Sequence, residues 1–337
     1  MQIFDNFSLK NHNTFHLDVS CARFIEMTAS DEAKEMQERG FFASPFLILG
    51  GGSNMLFRSD YPGTVIHPVF KGIELMDDDR HHQTLRVAAG EDWNTLQEYC
   101  LNHSLYGIEN LVGIPGLAGS APVQNIGAYG SEVKDSIIQV EGWDTDTGKP
   151  FSFSNVQCQF GYRDSIFKRR LRGKCLITHV WFRLSKEERY TLTYKALAQE
   201  LENRHISPSL RNIHECILHV RASKLPDLQT IGCAGSFFKN PAVPAEQAER
   251  LRTVIPDLVA YPADNGLTKL SAGQLIEKAG WKGFRKGDAG VYPLQALVIV
   301  NYGQASAHEI CQLYEKIIAD VDSKFGVTLQ PEVNILP

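Results

Sequence analysis

No Cys-x-x-Cys pair occurs in this chain of 337 residues, and no cysteine–histidine cluster has the spacing of a zinc site, so no metal is expected. The seven cysteines (Cys21, Cys100, Cys158, Cys175, Cys216, Cys233 and Cys311) are odd in number and scattered. They read as reduced thiols filling small core positions, because a chain of this length needs no disulfide framework. No apolar run approaches the ~18 residues of a bilayer span. Residues 1–10 include Asp5 and lack a basic region followed by an apolar stretch, so a secretory signal is not expected and the cytoplasm is. Positive charge is not in excess: 34 Lys and Arg stand against 39 Asp and Glu, a net charge of −5. That balance argues against a nucleic acid or an anionic membrane as partner. Low-complexity segments, internal repeats and linkers are absent as well. A monomer is the expectation.

What is present is an ordinary globular composition, 43% hydrophobic and 22% charged, in a length that suits two or three domains. The first third reads as short strands with glycine turns: Phe46–Leu49, Met55–Phe57 and Thr64–Ile66 around an Asp60-Tyr61-Pro62-Gly63 turn, then Leu85–Ala89. Asp92 caps a helix with Trp93, Leu96, Tyr99 and Cys100 on its apolar side. Ile137–Trp143 and Cys175–Leu184 read as strands, with Asp146-Thr147-Gly148 as a turn. A helix near Pro208, capped by Ser207, carries Leu210, Ile213 and Ile217. The last third is the most helical. Pro244 opens one helix, Ser271 and Gln274 form a capping box for a second that ends at Gly280, and Ser306 with Glu309 caps a third that stops at Gly326. Ala296–Val300 precedes that helix as a strand, and Val327–Leu336 reads as a strand returning to the first domain. The class is α+β.

Two glycine loops stand out. Gly50-Gly51-Gly52-Ser53-Asn54 follows a strand, but Met55 occupies the position of a third Rossmann glycine and the next segment reads as a strand. A tight turn is the alternative there. Residues 113–130 are more specific: five glycines, two prolines and no charge in eighteen positions, including Pro115, Gly116, Gly119, Ser120, Gln124, Asn125, Gly127, Ala128, Tyr129 and Gly130. Glycine lets backbone approach a ligand, and successive amides form a concavity that holds an anion without lysine. That suits the pyrophosphate of a dinucleotide; a structural loop is the competing reading.

Three further segments concentrate reactive groups. In Gly161-Tyr162-Arg163-Asp164-Ser165, Arg163 offers a planar fork for a carboxylate or enolate, or else a surface ion pair with Asp164 or another acid. In Gly232-Cys233-Ala234-Gly235-Ser236-Phe237-Phe238-Lys239-Asn240-Pro241, Ser236 sits among turns and aromatics. It is not a hydrolase elbow, because Phe238 replaces the second glycine. Near the C-terminus, Glu332 follows Gln330-Pro331, a context in which a lone carboxylate usually faces solvent.

In this order, the segments resemble the UDP-N-acetylenolpyruvoylglucosamine reductases. The matching pieces are Asn13-Thr14-Phe15, Leu49 to Asn54, Gly113 to Gly130, Gly161 to Ser165, Ala234 to Pro241 and Pro331-Glu332-Val333. Tyr194 in Leu192-Thr193-Tyr194 and Lys224 in Ser223-Lys224-Leu225-Pro226 resemble the subclass with a tyrosine-bearing loop over the substrate. The resemblance implies an FAD-binding fold of the vanillyl-alcohol-oxidase type, made of two α+β subdomains (residues 1–70 plus 326–337, and 71–221), with a third α+β domain (222–325) for the UDP-sugar. It implies non-covalent FAD, held by Gly50, Gly51, Gly52, Ser53, Asn54 and the positions named in residues 113–130, and reduced by NADPH. The substrate would be the enolpyruvyl ether of UDP-N-acetylglucosamine, held by Tyr194, Lys224 and Asn240. Arg163 and Glu332 would stabilise the enolate and Ser236 would donate the proton. Cys233 departs from the asparagine common at its position. Two other readings fit less well. An oxidase of the same fold would often carry flavin on a histidine, and none lies between Tyr106 and Glu132. A silent nucleotide-binding protein would have no use for Arg163, Ser236 and Glu332 together.

Overall fold

The computed structural model describes residues 1–43 and 45–337, which fall into two compact units. The first comprises Met1–Phe7, Cys21–Gly51 and Pro62–Arg221; the second comprises Ser8–Ser20, Gly52–Tyr61 and Ala222–Pro337.

The first unit is built on an antiparallel five-stranded sheet in the order Lys149–Ser154, Ile137–Asp144, Cys175–Ser185, His82–Ala88, Ile73–Asp78. β-Branched and aromatic residues dominate its central strand, where Leu176 to Val180 are buried in succession, so both faces are covered there. The expected turn after Asp144 is present: its Oδ1 accepts from the N–H groups of Asp146 at 3.0 Å and Thr147 at 2.8 Å. A second sheet has the order Gln2–Ser8, Ser20–Met27, Tyr61–Pro68, Phe46–Ile48, the last pair running parallel. Trp93–Asn102 forms the helix expected after Asp92, whose side chain accepts from Asn94 and Thr95 N–H. Trp93 and Leu96 are fully buried with Val87, Val180 and Phe182, each large apolar side chain contributing about 1.5–3 kcal/mol. Ala118, Ala121 and Ile126 join the same core and thereby fix the glycine-rich loop to the sheet.

The helix Leu210–Ala222 is present, but its cap differs from the expectation. Ser209, not Ser207, accepts the Asn212 N–H on its hydroxyl, at 3.1 Å. The preceding helix, Lys195–Asn203, carries no capping hydrogen bond from its N-cap Tyr194, so no start signal for it is visible in the sequence.

In the second unit, Gly232–Ser236, Val298–Asn301, Ala289–Val291 and Arg285–Lys286 form one antiparallel sheet, and Ala242–Pro244, Leu267–Leu270 and Ala260–Pro262 form another. The longest helix, Ala307–Phe325, has the full Ser306/Glu309 capping box and ends on Gly326 at φ +63°. Its buried stripe includes Ile310, Leu313, Ile317 and Val321. The helix Ala272–Lys278 has half of its expected box. Ser271 caps Gln274 N–H, but the Gln274 side chain bonds Val259 N–H and the Asp257 carbonyl instead. Met55–Phe57 does not form a hairpin across the Asp60–Gly63 turn. It pairs in parallel with Asn334–Leu336, an alignment joined also by Asn334 Nδ2 donating to the Asn54 carbonyl at 3.1 Å.

Candidate functional site

In the first unit the two glycine loops are pressed together. A Cβ on Gly51 would stand 2.9 Å from the Gly116 Cα, one on Gly50 would strike the Ser120 hydroxyl, and one on Gly119 would lie 2.5 Å from the Ala89 Cβ. Glycine is required at these positions by close approach of backbone to backbone. Among the described residues, no acceptor meets the N–H groups of Gly50, Gly51 or Gly116. Neighbouring unpaired amides of this kind form a concavity suited to a diphosphate, so the loops fit an FAD pyrophosphate without a cation. Pro115, Gln124 and Ala128 lie half-buried along the same loop.

The loop then closes on itself. Gly127-Ala128 pairs with Ser131-Glu132, and the two residues between, Tyr129 and Gly130, have φ of +50° and +86°, the pattern of a type I′ turn. Asn125 is wholly buried. Its Nδ2 donates to Glu132 Oε2 at 3.0 Å and the Gly161 carbonyl at 2.9 Å, while Oδ1 accepts from Lys134 N–H. It therefore ties the loop to the turn that carries Arg163. Gly161 and Asp164 pair across that turn, and Arg163 sits at its tip with φ +53°. Such a conformation costs a non-glycine residue about 1–2 kcal/mol and persists because its surroundings fix it. Ser165 Oγ bonds the Val123 carbonyl at 2.5 Å, Lys168 Nζ reaches the Arg163 carbonyl at 3.4 Å, and Arg163 Nη2 donates to the Gly127 carbonyl. The surface pair of Arg163 with Asp164 is not formed; Asp164 meets Arg169 at 3.1 Å.

Tyr194, 44% exposed, sets its ring edge-on to Tyr129 at 5.1 Å. Burial raises the pKa of the Tyr129 hydroxyl, and its hydrogen-bonded neighbour Arg221 opposes that rise.

In the second unit Gly52 has φ +62° and its carbonyl accepts from Thr14 N–H, at 3.2 Å. The Thr14 hydroxyl bonds the Cys233 carbonyl at 2.6 Å, and Cys233 N–H returns to the Thr14 carbonyl. Asn13 is buried and closes its own turn through Leu9 and Leu17, while Asn301 Nδ2 donates to the Phe15 carbonyl. The Asn13-Thr14-Phe15 motif is thus a strap under the strand that bears Ser236. Ser53 and Asn54 follow, half-buried, and the Asn54 carbonyl accepts from Asn334 N–H at 3.0 Å.

Ser236 is presented by a bulge. Cys233 faces Val300 and Ser236 faces Val298, so one extra residue is accommodated, at Gly235 with φ +69°. The hydroxyl-bearing residue is exposed while Phe237 and Phe238 on its far side are buried. The chain then pairs with the C-terminal segment: Lys239 N–H bonds the Gln330 carbonyl at 2.9 Å, and Glu332 N–H bonds the Phe237 carbonyl at 2.7 Å. Ser236 and Glu332, far apart in sequence, are therefore brought together in this unit. Asn240 Oδ1 accepts Ala272 N–H at 3.0 Å, and no acceptor among the described residues meets its Nδ2. Lys224 is exposed with no ion-pair partner among the described residues. Cys233 packs with Val298 and Val300, and this apolar position accounts for a thiol in place of an amide.

Thr14, Asn110, Glu132 and Arg221 also hold these loops, and no local sequence signal singles them out, because each acts on backbone or through another side chain. No helix among the described residues is long and apolar enough to cross a membrane.

Comparisons with known proteins fit this geometry. Residues 226–336 match the family model described as UDP-N-acetylenolpyruvoylglucosamine reductase, C-terminal domain, and residues 30–154 match an FAD binding domain. The chain is 43% identical over 330 residues to the UDP-N-acetylenolpyruvoylglucosamine reductase of Bacteroides fragilis strain YCH46, covering 98% of this chain and 99% of the relative. It is 44% identical over 331 residues to that of Chromobacterium violaceum, covering 97% of each. Among solved structures it is similar to the enzyme of that name from Thermus caldophilus, with a TM-score of 0.71, 24% identity and 100% of both chains covered, a likeness of fold.

Proposed function

The chain belongs to the UDP-N-acetylenolpyruvoylglucosamine reductase family, and we infer from that membership that it reduces the enolpyruvyl ether of UDP-N-acetylglucosamine to UDP-N-acetylmuramate, a step in peptidoglycan precursor synthesis. It is an FAD oxidoreductase of the kind that draws on NADPH. The observation that carries the reading is identity of 43–44% along almost the whole chain, with the motif residues built into one loop system in each unit. Residues 1–70 with 326–337, and 71–221, are assigned to the flavin, and 222–325 to the UDP-sugar; the FAD-domain match lies at 30–154, and the C-terminal match begins at 226 but runs on to 336, past the end of that last range.

FAD, when bound, supplies the hydride that reaches the terminal alkene carbon of the substrate. The unpaired amides of Gly50, Gly51 and Gly116 would hold its diphosphate, and Gly52, Ser53, Asn54, Pro115, Gly119, Ser120, Gln124, Asn125, Gly127, Ala128, Tyr129 and Gly130 are assigned with them to the flavin. Hydride addition leaves negative charge that the substrate carboxylate delocalises as an enolate. The guanidinium of Arg163 stabilises that charge, and Glu332 assists through a proton that it carries or shares, since a bare carboxylate would repel it. Ser236 Oγ gives the proton that completes reduction; an enolate is basic enough to take it. Lys224 meets the diphosphate as a point charge, Asn240 offers its Nδ2, and Tyr194 stands over the substrate as in the tyrosine-loop subclass.

The purified protein should be yellow, and NADPH oxidation should require the enolpyruvyl UDP-sugar. Spectra taken before anaerobic NADPH, after it, and again after substrate test both half-reactions. A colourless protein that takes up no FAD would overturn the reading, and peroxide formation without NADPH would replace it with an oxidase.

A further inference from the structure

We propose that Asn110 is a positioning residue that latches the Thr191–Tyr194 segment onto the glycine-rich loop and so sets the place of Tyr194 for substrate; this rests on the role assigned to Tyr194 above. Asn110 is fully buried in the first unit. Its Nδ2 donates to two carbonyls from separate parts of the chain, Tyr129 at 2.8 Å and Thr191 at 2.8 Å, 19 and 81 residues away. Both amide hydrogens are used, and the amide has one workable orientation, because the reverse would aim its oxygen at two carbonyl oxygens.

The other end of the same side chain is unsatisfied: Oδ1 is buried with no partner among the described residues. A buried acceptor left unpaired is destabilising, and an apolar side chain of similar volume would avoid it. The amide is retained for what its donors do. They join the residue that faces Tyr194 to the segment that carries it.

The contact surface supports the latch. Gly130 comes so close to the segment that an added Cβ would lie 2.6 Å from Thr193 Oγ1 and 3.4 Å from Thr191 Cγ2. Leu192 and Tyr190 pack on the cluster of Val112, Leu197, Leu201, Ile213 and Ile217, so the segment is anchored on both sides of Thr191. Tyr194 follows as the first residue with an exposed ring, 5.1 Å from Tyr129.

The test uses the FAD-loaded protein and two variants, Asn110→Ala and Asn110→Leu. The second removes both donors without emptying the core, and serves if the first fails to retain FAD. Amide hydrogen exchange of residues 188–194 is measured together with kcat and KM for the enolpyruvyl UDP-sugar. The latch predicts exchange about tenfold faster in that segment, unchanged exchange in 210–222, and KM raised about tenfold with kcat within about threefold (a tenfold change in binding is about 1.4 kcal/mol). Unchanged exchange in residues 188–194 overturns the proposal. So does faster exchange with unaltered KM in a protein whose Tyr194→Ala variant shows a raised KM. If Tyr194→Ala leaves KM unaltered, the assignment of Tyr194 fails on its own, and the exchange result alone upholds or overturns the latch.

Discussion

Glu332 gives its backbone N–H to the carbonyl of Phe237 at 2.7 Å, and Phe237 is the residue that follows Ser236. The segments that bear a carboxylate and, nearly a hundred residues earlier, a hydroxyl are thereby fixed to each other by main-chain bonding. Removal of either side chain should leave this frame standing, so variants report on chemistry.

Ser236→Ala is therefore expected to fold, keep FAD and be reduced by NADPH at a normal rate. Reoxidation by the enolpyruvyl UDP-sugar should slow by about 10²–10⁴-fold, the usual range for a lost general acid. Stopped-flow absorbance of the flavin separates the two steps. Equal reoxidation rates in variant and parent would remove the serine from its role.

Gly51→Ala tests the cradle. Its Cβ would stand 2.9 Å from the Gly116 Cα, backbone against backbone, so the loops must part where the unpaired amides lie. FAD affinity should fall by at least about tenfold while the rest of the fold persists. The ratio of flavin to protein absorbance after gel filtration measures it, and a fully loaded variant would show that the amides of this loop do not hold the diphosphate.

Much of this was legible locally. The Ser306/Glu309 box, the Gly326 stop and the Asp92 cap depend on residues within four positions of each other, and each formed as expected. What the sequence hid is long-range. Asn54 and Asn334 lie 280 residues apart, and nothing near Met55 says that its strand pairs there. Gln274 had the right spacing for a box, yet Val259 and Asp257, brought up by the fold, took its side chain. Asn110 looked like any loop amide because its value lies in two carbonyls supplied by other segments.

Stability should decline in alkali because of buried thiols. Burial raises the pKa of Cys21 from an ordinary 9.0 to about 11, and those of Cys158 and Cys175 to about 12. The folded chain keeps these protons where the unfolded chain has lost them. Their contribution is complete below pH about 9 and is lost as pH rises from there through about 11–12. Tm should fall across that window, and Cys175→Ala should make the fall shallower. A fall just as steep in the variant would assign the alkaline loss to other groups.

Asp92→Ala should lower stability by about 1 kcal/mol, since the side chain caps two N–H groups of the helix that buries Trp93 and Leu96. Urea unfolding measures it. Asp92→Asn should recover most of the loss, because an amide oxygen caps nearly as well.

Arg163→Lys separates charge from geometry. Arg163 is held at φ +53° by a turn that Asn125 and Ser165 clamp, and one arm of its fork is spent on the Gly127 carbonyl. A lysine keeps the positive charge but can make one directed contact where the fork makes two, so an anion stabilised beside the Gly127 bond would lose its donor. FAD content should be unchanged and KM should shift by no more than a few-fold. The enolate, which exists only after hydride addition, should be stabilised less, and kcat should drop by about 10²-fold, the scale seen when one oxyanion donor is lost. Steady-state kinetics with flavin occupancy measured on the same sample decides it. A kcat within about twofold of the parent would mean that charge alone suffices, and that the strained turn holds Arg163 for some purpose other than the reaction.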